Sequence, residues 1–317
     1  MTAALENWGE RVRAGDIRAM SRAVSAIENR APEAESLLKE LFPYTGRACR
    51  LGVTGAPGTG KSTLVDKLAA YYRSQKQSVG IIAVDPSSPF TGGAILGDRI
   101  RMQGHATDEG IFIRSMATRG FLGGLAQATA DTTLLLDAAG KDMILIETVG
   151  VGQGEIEIVR LADCTLVVLM PGTGDDVQSL KAGLMEIADI FVINKSDREG
   201  AEKLEEQIRA ILQLVPERDG WRPKIVRTIA TEGQGVEDVA RQIAAFRKHF
   251  AQAKDPSGRD VAYWKNWLLR LLEKRVLERV LANGIGEQEL DMIAAQVAAR
   301  KKDPYSAVSE ILSRSGS

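Results

Sequence analysis

The sequence predicts an α/β fold: a mainly parallel sheet flanked by helices, with helical segments before and after it. Three observations point there. Short apolar runs alternate with helix-period segments from Ala48 to about Phe250, a glycine-rich run directly follows the first of them, and a later one ends in Asn194-Lys195-Ser196-Asp197. Short continuous apolar runs separated by long helical connections read as strands buried on both faces, which is how parallel sheets are built.

The elements follow in order. From Leu5 to Leu41 the period is helical, with Ile17, Met20, Val24 and Ile27 on one face. Pro32 marks a break before a second helix around Leu37, Leu38 and Leu41. Pro43-Tyr44-Thr45-Gly46 then punctuates the chain. The expected strands are Leu51-Val53, Val79-Val84, Ile111-Ile113, Met143-Ile146, Thr165-Leu169, Ile190-Ile193 and Ile225-Ile229. After Asp255-Pro256-Ser257-Gly258 the pattern is wholly helical, and Trp264, Trp267, Leu268, Leu271, Leu272, Val276 and Val280 form a broad apolar stripe. The expected organisation is therefore a helical segment over 1–47, a nucleotide-binding domain over 48–254 and a helical arm over 255–317. A stripe that wide calls for a partner surface. Dimerisation through the arm is the favoured reading, and folding back onto its own domain is the alternative.

Composition narrows the classes of function. The chain has 317 residues, 44% apolar and 26% charged, which suits one large globular domain with appendages. With 41 basic against 42 acidic residues, nothing electrostatic recommends a nucleic acid or an anionic membrane as partner. The start of the chain lacks an apolar leader, and no run reaches the ~18 apolar residues of a membrane span. A cytoplasmic location is expected. Cys49 and Cys164 both fall in expected strands, where a thiol behaves as a small hydrophobe, so no disulfide is expected.

The chemistry begins at Gly55-Ala56-Pro57-Gly58-Thr59-Gly60-Lys61-Ser62-Thr63. Glycines allow successive backbone N–H groups to face phosphate oxygens, Lys61 adds a point charge, the Ser62 hydroxyl suits Mg²⁺, and the helix opening at Lys61 aims its positive end at the same anion. This is a P-loop. Asn194, Lys195 and Asp197 form an NKxD pattern at a strand end. A carboxylate in the plane of the base accepts both the ring N–H and the exocyclic amine of guanine, whereas adenine offers the wrong donors. GTP and GDP are the expected ligands.

Between these motifs lie the residues expected to sense the terminal phosphate. Asp85-Pro86-Ser87-Ser88 follows a strand, and Thr91-Gly92-Gly93 leads to Asp98. Two loop carboxylates near a P-loop suggest Mg²⁺ or its waters. The strand Met143-Ile146 ends in Glu147-Thr148-Val149-Gly150, an ExxG pattern in which the Gly150 amide could bond the γ-phosphate and release it on hydrolysis. Glu147 either holds a magnesium-bound water or orients the attacking one, and Gln153 is a candidate water-positioner.

Together GAPGTGKST (55–63), VDPSSPFTGGAILGDRIRM (84–102), IRSMATRGFLGGLA (113–126), ETVGVGQ (147–153) and NKSD (194–197) resemble the MeaB/ArgK GTPases, the methylmalonyl-CoA mutase-associated P-loop GTPases. The resemblance covers nearly the whole chain. It implies a GTP-hydrolysing chaperone that gates adenosylcobalamin loading and protects or reactivates a cobalamin-dependent acyl-CoA mutase. By the same resemblance Lys61 contacts phosphates, Asp85, Asp98 and Glu147 surround Mg²⁺ and the attacking water, and Pro171 to Lys181 forms an additional switch with Lys181 as coupling residue. Ala230-Thr231-Glu232-Gly233 departs from the Ser-Ala pair that small GTPases often place against guanine. No arginine finger is assignable from the sequence: Arg99, Arg101, Arg114 and Arg119 are candidates, and the competing reading of each is a surface or helix-end residue. Two other functions compete. A nickel-delivery GTPase would want more soft or imidazole ligands than His105, His249 and two strand cysteines. A small-molecule kinase would need a lid and an acceptor base, for which Arg99 to Leu125 is the available segment.

Overall fold

The computed structural model describes residues 7–85, 107–117, 122–148, 161–172, 185–252, 257–282 and 286–315. The apolar runs become β1 (Cys49–Thr54), β2 (Val79–Asp85), β3 (Ile111–Ala117), β4 (Met143–Glu147), β5 (Cys164–Leu169), β6 (Ile190–Asn194) and β7 (Lys224–Thr228). They form one seven-stranded sheet in the order β3-β2-β4-β1-β5-β6-β7. Every neighbouring pair is parallel, as expected of strands whose residues are apolar on both sides.

Helices cover both faces. α4 (Lys61–Ser74) and α7 (Val236–Ala251) bury Leu64, Leu68, Val239, Ile243 and Phe246 against Leu51, Val53, Leu145, Leu166 and Val192. α6 (Ala201–Leu214) buries Leu204, Ile208 and Leu212 against Val167, Phe191 and Ile193. α5 (Leu122–Ala138) contacts β3 and β4, and its Leu136 lies over Gly80 of β2.

The helical prefix consists of α1 (Trp8–Arg13), α2 (Ile17–Glu28) and α3 (Pro32–Leu41), all packed on α5. Asp16 caps α2, accepting from the amides of Arg18 and Ala19, and the Ala19 amide together with Arg11 holds its carboxyl below the usual range. Pro32 sits in the first turn of α3, where its missing N–H costs nothing. Of the expected stripe on α2, Met20, Val24 and Ile27 are buried, but Ile17 at the first helical position is exposed. A salt bridge from Arg114 of β3 to Glu28 ties the prefix to the sheet, and the same guanidinium donates to the Ser25 hydroxyl at 3.2 Å.

At the amino-terminal end of the sheet, aspartates secure the strand starts. Asp137 accepts from the amides of Gly46, Arg47 and Ala48 ahead of β1 at 2.6–3.1 Å. Asp142 accepts from Ser78 N at 2.7 Å, Asp163 from Arg50 N at 2.8 Å and Asp189 from Thr165 N at 2.9 Å. Each satisfies a donor that the ladder leaves over.

Two compact units result, Met1–Gln252 and Ala253–Ser317. The helical prefix belongs to the first, together with the sheet. The second contains α8 (Ser257–Ala282), α9 (Glu287–Ala298) and α10 (Pro304–Ser315). Along α8 the rings of Tyr263, Trp264 and Trp267 cluster with centroids 5.1–5.8 Å apart, while Leu268, Leu272 and Val276 are exposed. Among the described residues no helix is long and apolar enough to cross a membrane, and Cys49 and Cys164 are buried thiols.

Candidate functional site

The carboxyl ends of the central strands converge on the glycine-rich loop. β1 stops at Thr54 and the chain turns at Gly55 with φ 142°, where a Cβ would collide with the Val168 carbonyl oxygen of β5. Gly60 caps α4 in the left-handed region at φ 92°, and a Cβ there would strike the Asn194 amide nitrogen. Only glycine meets both demands. The loop closes on itself: the Thr59 hydroxyl donates to Ala56 O at 2.9 Å, and the buried Lys61 ammonium donates to Gly55 O at 2.8 Å and Ala56 O at 3.1 Å. A positive charge and a helix amino terminus thus share one place.

Acidic groups meet it from β4. The Ser62 hydroxyl donates to Glu147 Oε1 at 2.6 Å, and Glu147 is buried. Its position follows from register, since Val53 of β1 pairs with Glu147 and Ala83 of β2 pairs with it from the other side. Asp85 is the last residue of β2, at the same end of the sheet. Asp98 and Gly150 lie outside the described residues, as do Arg99, Arg101, Arg119, Gln153 and 173–181. Among the described residues no group of three or more His, Cys, Asp or Glu could hold a metal ion. The Ser62 and Glu147 oxygens are hard donors of the type magnesium uses.

The second motif reaches the first. Asn194, at the end of β6, donates from Nδ2 to Thr59 O at 2.8 Å, and its Oδ1 accepts from the Thr228 hydroxyl and the Ala230 amide, each at 3.0 Å. Lys195, in the left-handed region at φ 55°, donates from Nζ to Gly58 O at 2.7 Å. Ser196 N donates to Thr228 O at 3.1 Å, closing the turn that carries the exposed Asp197. The Ala230–Glu232 stretch that departs from the small-GTPase pattern is a short 3₁₀ turn whose first amide is engaged by Asn194. Arg114, a finger candidate, is engaged by Glu28 on the prefix.

Thr54, Thr148 and Thr228 escaped sequence reasoning. Each is a buried threonine at a strand end bonded to a functional segment. The only signal was a hydroxyl residue beside a motif or at an unconstrained position within one, which is too common to single out.

The family model described as methylmalonyl-CoA mutase-associated GTPase MeaB matches residues 20–285. The chain belongs to the MeaB family. Its match runs from within α2 past the end of α8, so the family pattern includes most of the prefix and of the long arm helix. A GTPase-named protein of Pyrococcus horikoshii is 46% identical to this MeaB-family chain, over 96% of each. The GTPase ArgK of Escherichia coli is 39% identical over 86% of this chain and 85% of its own. A crystal structure described as an LAO/AO transport system kinase superposes with a TM-score of 0.75 at 28% identity, covering 99% of this chain and 98% of that one. This chain is accordingly a GTPase, and its ligand is a guanine nucleotide.

Proposed function

We propose that this GTPase gates adenosylcobalamin loading into an acyl-CoA mutase of the methylmalonyl-CoA mutase type, and protects or reactivates that enzyme. The proposal draws on the family's description as mutase-associated. The structural observation that supports its nucleotide half is the junction of the two nucleotide motifs, with Asn194 bonded to Thr59 O and Lys195 to Gly58 O. A site so joined senses base and phosphates as one ligand.

In this reading Gly55 to Thr63 cradle the phosphates, Asp197 recognises guanine, and Asn194 and Lys195 hold the base side against the loop. Lys61 exchanges its loop carbonyls for the outer phosphates and stabilises charge on the transferring oxygens. Ser62 and Glu147, with Asp85 and Asp98, form the magnesium side. When bound, the ion neutralises charge shared by the β- and γ-phosphates. Glu147 orients water for in-line attack, which yields GDP and phosphate. Gly150 reads the γ-phosphate and, with 171–181 and Lys181, relays its loss to the client. The unit Ala253–Ser317 is the proposed dimerisation arm, on the strength of the exposed Leu268, Leu272 and Val276. The protein is proposed to work in the cytoplasm.

The test mixes the purified protein with a cobalamin-dependent acyl-CoA mutase. Binding that differs between GDP and a non-hydrolysable GTP analogue, and GTP turnover that rises with mutase, is the expected result. Indifference in both measurements rejects the client assignment. A second reading, a kinase, is motivated by the name that the structural neighbour carries. Labelled γ-phosphate appearing on a hydroxyl or guanidino acceptor instead of as inorganic phosphate would favour it.

A further inference from the structure

We propose that Thr54 and Thr148 are a positioning pair that sets the turnover rate of the GTPase by fixing the end of β4 against the start of the phosphate loop. The proposal rests on reading Ser62 and Glu147 as the metal side of the nucleotide site.

β1 and β4 run side by side until Val53 faces Glu147, and one more ladder bond follows, Thr148 N to Val53 O at 3.0 Å. There the ladder ends. Thr54 is followed by Gly55 and the loop, and Thr148 precedes the segment that holds Gly150 in the sequence. At the end of the ladder the Thr148 hydroxyl donates to Thr54 Oγ1 at 3.0 Å, with a longer contact of 3.4 Å to Val53 O. Both side chains are shut off from water, Thr54 at 0% and Thr148 at 2% exposure.

Side chains alternate across a strand. Glu147 therefore projects to the face where Ser62 meets it, and Thr148 projects to the opposite face, where Thr54 meets it. The bond between the hydroxyls and the bond between Ser62 and Glu147 grip consecutive residues from two sides of the sheet. Rotation of the Glu147–Thr148 peptide, which would swing the carboxylate away from Ser62, breaks the threonine bond. With water shut out, the Thr148 hydroxyl would be left with only its longer contact to Val53 O, a poorer bond than the one lost. Such a pair specifies where a reacting group sits more than how tightly nucleotide binds, and a misplacement of about 1 Å costs on the order of 10²-fold in rate.

The test compares Thr54→Val, Thr148→Val and the double variant, which keep shape and remove hydroxyls, with Thr54→Ser and Thr148→Ser, which keep the bond. Expected for the valine variants is a kcat lowered about 10- to 100-fold, with KM for GTP and affinity for GDP held within about threefold. The serine variants should recover most of the rate, and the double variant should lose less than the product of the two single losses, because the two substitutions share this bond. A merely structural role would lower the melting temperature while leaving kcat per folded molecule unchanged, and that outcome overturns the proposal. If the valine variants fail to fold, Thr148→Cys, which weakens the bond at similar size, replaces them with the same two outcomes. Glu147→Gln is the separating control. If it leaves turnover and magnesium dependence unchanged, the site reading has failed. If it lowers turnover while the threonine variants do not, only the positioning pair has failed.

Discussion

At the amino-terminal end of the sheet Asp137, Asp142, Asp163 and Asp189 accept backbone amides and so fasten the strand starts, whereas at the carboxyl end Lys61, Asn194 and Lys195 donate to the carbonyls of a glycine-rich loop. The polarity is reversed, and so is the consequence. Carboxylates on amides complete a hydrogen-bond inventory with nothing left to exchange. The two lysine cations on carbonyls hold charge that an anionic ligand can claim, while Ser62 and Glu147 keep acid chemistry beside it. One sheet therefore carries a structural edge and a chemical edge, and substitutions at the two should differ in which observable they move.

The sharpest break comes at the chemical edge. Lys61→Ala is expected to reduce GTP turnover on the order of 10²- to 10³-fold by removing a charge aimed at the phosphates, with the thermal midpoint nearly unchanged. Steady-state kinetics beside a melting curve checks it, and retained turnover would remove Lys61 from the phosphate site. Next, Asp197→Asn is expected to weaken the preference for guanine by about 1–3 kcal/mol, since a carboxylate that accepts two donors becomes mismatched. Competition between GTP and ATP measures this, and unaltered discrimination would place base recognition elsewhere. Smallest in function is Asp189→Asn at the structural edge. Its buried carboxylate accepts from Thr165 N and the Arg218 guanidinium, so the change should cost about 1–3 kcal/mol of stability. Turnover per folded molecule should stay at the wild-type value; a loss there would erase the distinction between the edges.

Much of the chemical edge was legible because its motifs are local. Gly55 to Thr63 is contiguous, and Gly55 and Gly60 are demanded by a positive φ and a close approach that the residue type itself announces. The strands were legible for the same kind of reason, since a short apolar run followed by a helix period has one common reading. Illegible were the bonds that join the motifs. Asn194 and Thr59 are 135 positions apart, Thr148 and Thr54 are 94, and Arg50 and Asp163 are 113. Parallel strands need long crossovers, so partners across a ladder are distant in the chain and a single sequence carries no trace of their pairing. The aspartate clasps were invisible too: Asp142, Asp163 and Asp189 before strands look like any turn residue, and Asp137 in the last turn of α5 like any helix residue, until the neighbouring strand is known.

By itself the amino-acid sequence determined the α/β class, the phosphate loop, the guanine motif and the family, because each depends on spacing along the chain and on what a residue's backbone or side chain is able to do. Tertiary structure alone decided that β4 lies between β1 and β2, that Glu147 consequently faces Ser62, that Asn194 spans loop and strand, and that two threonines meet where the β1–β4 ladder ends. Those are matters of strand order and register, which set distances in space that spacing in sequence does not encode.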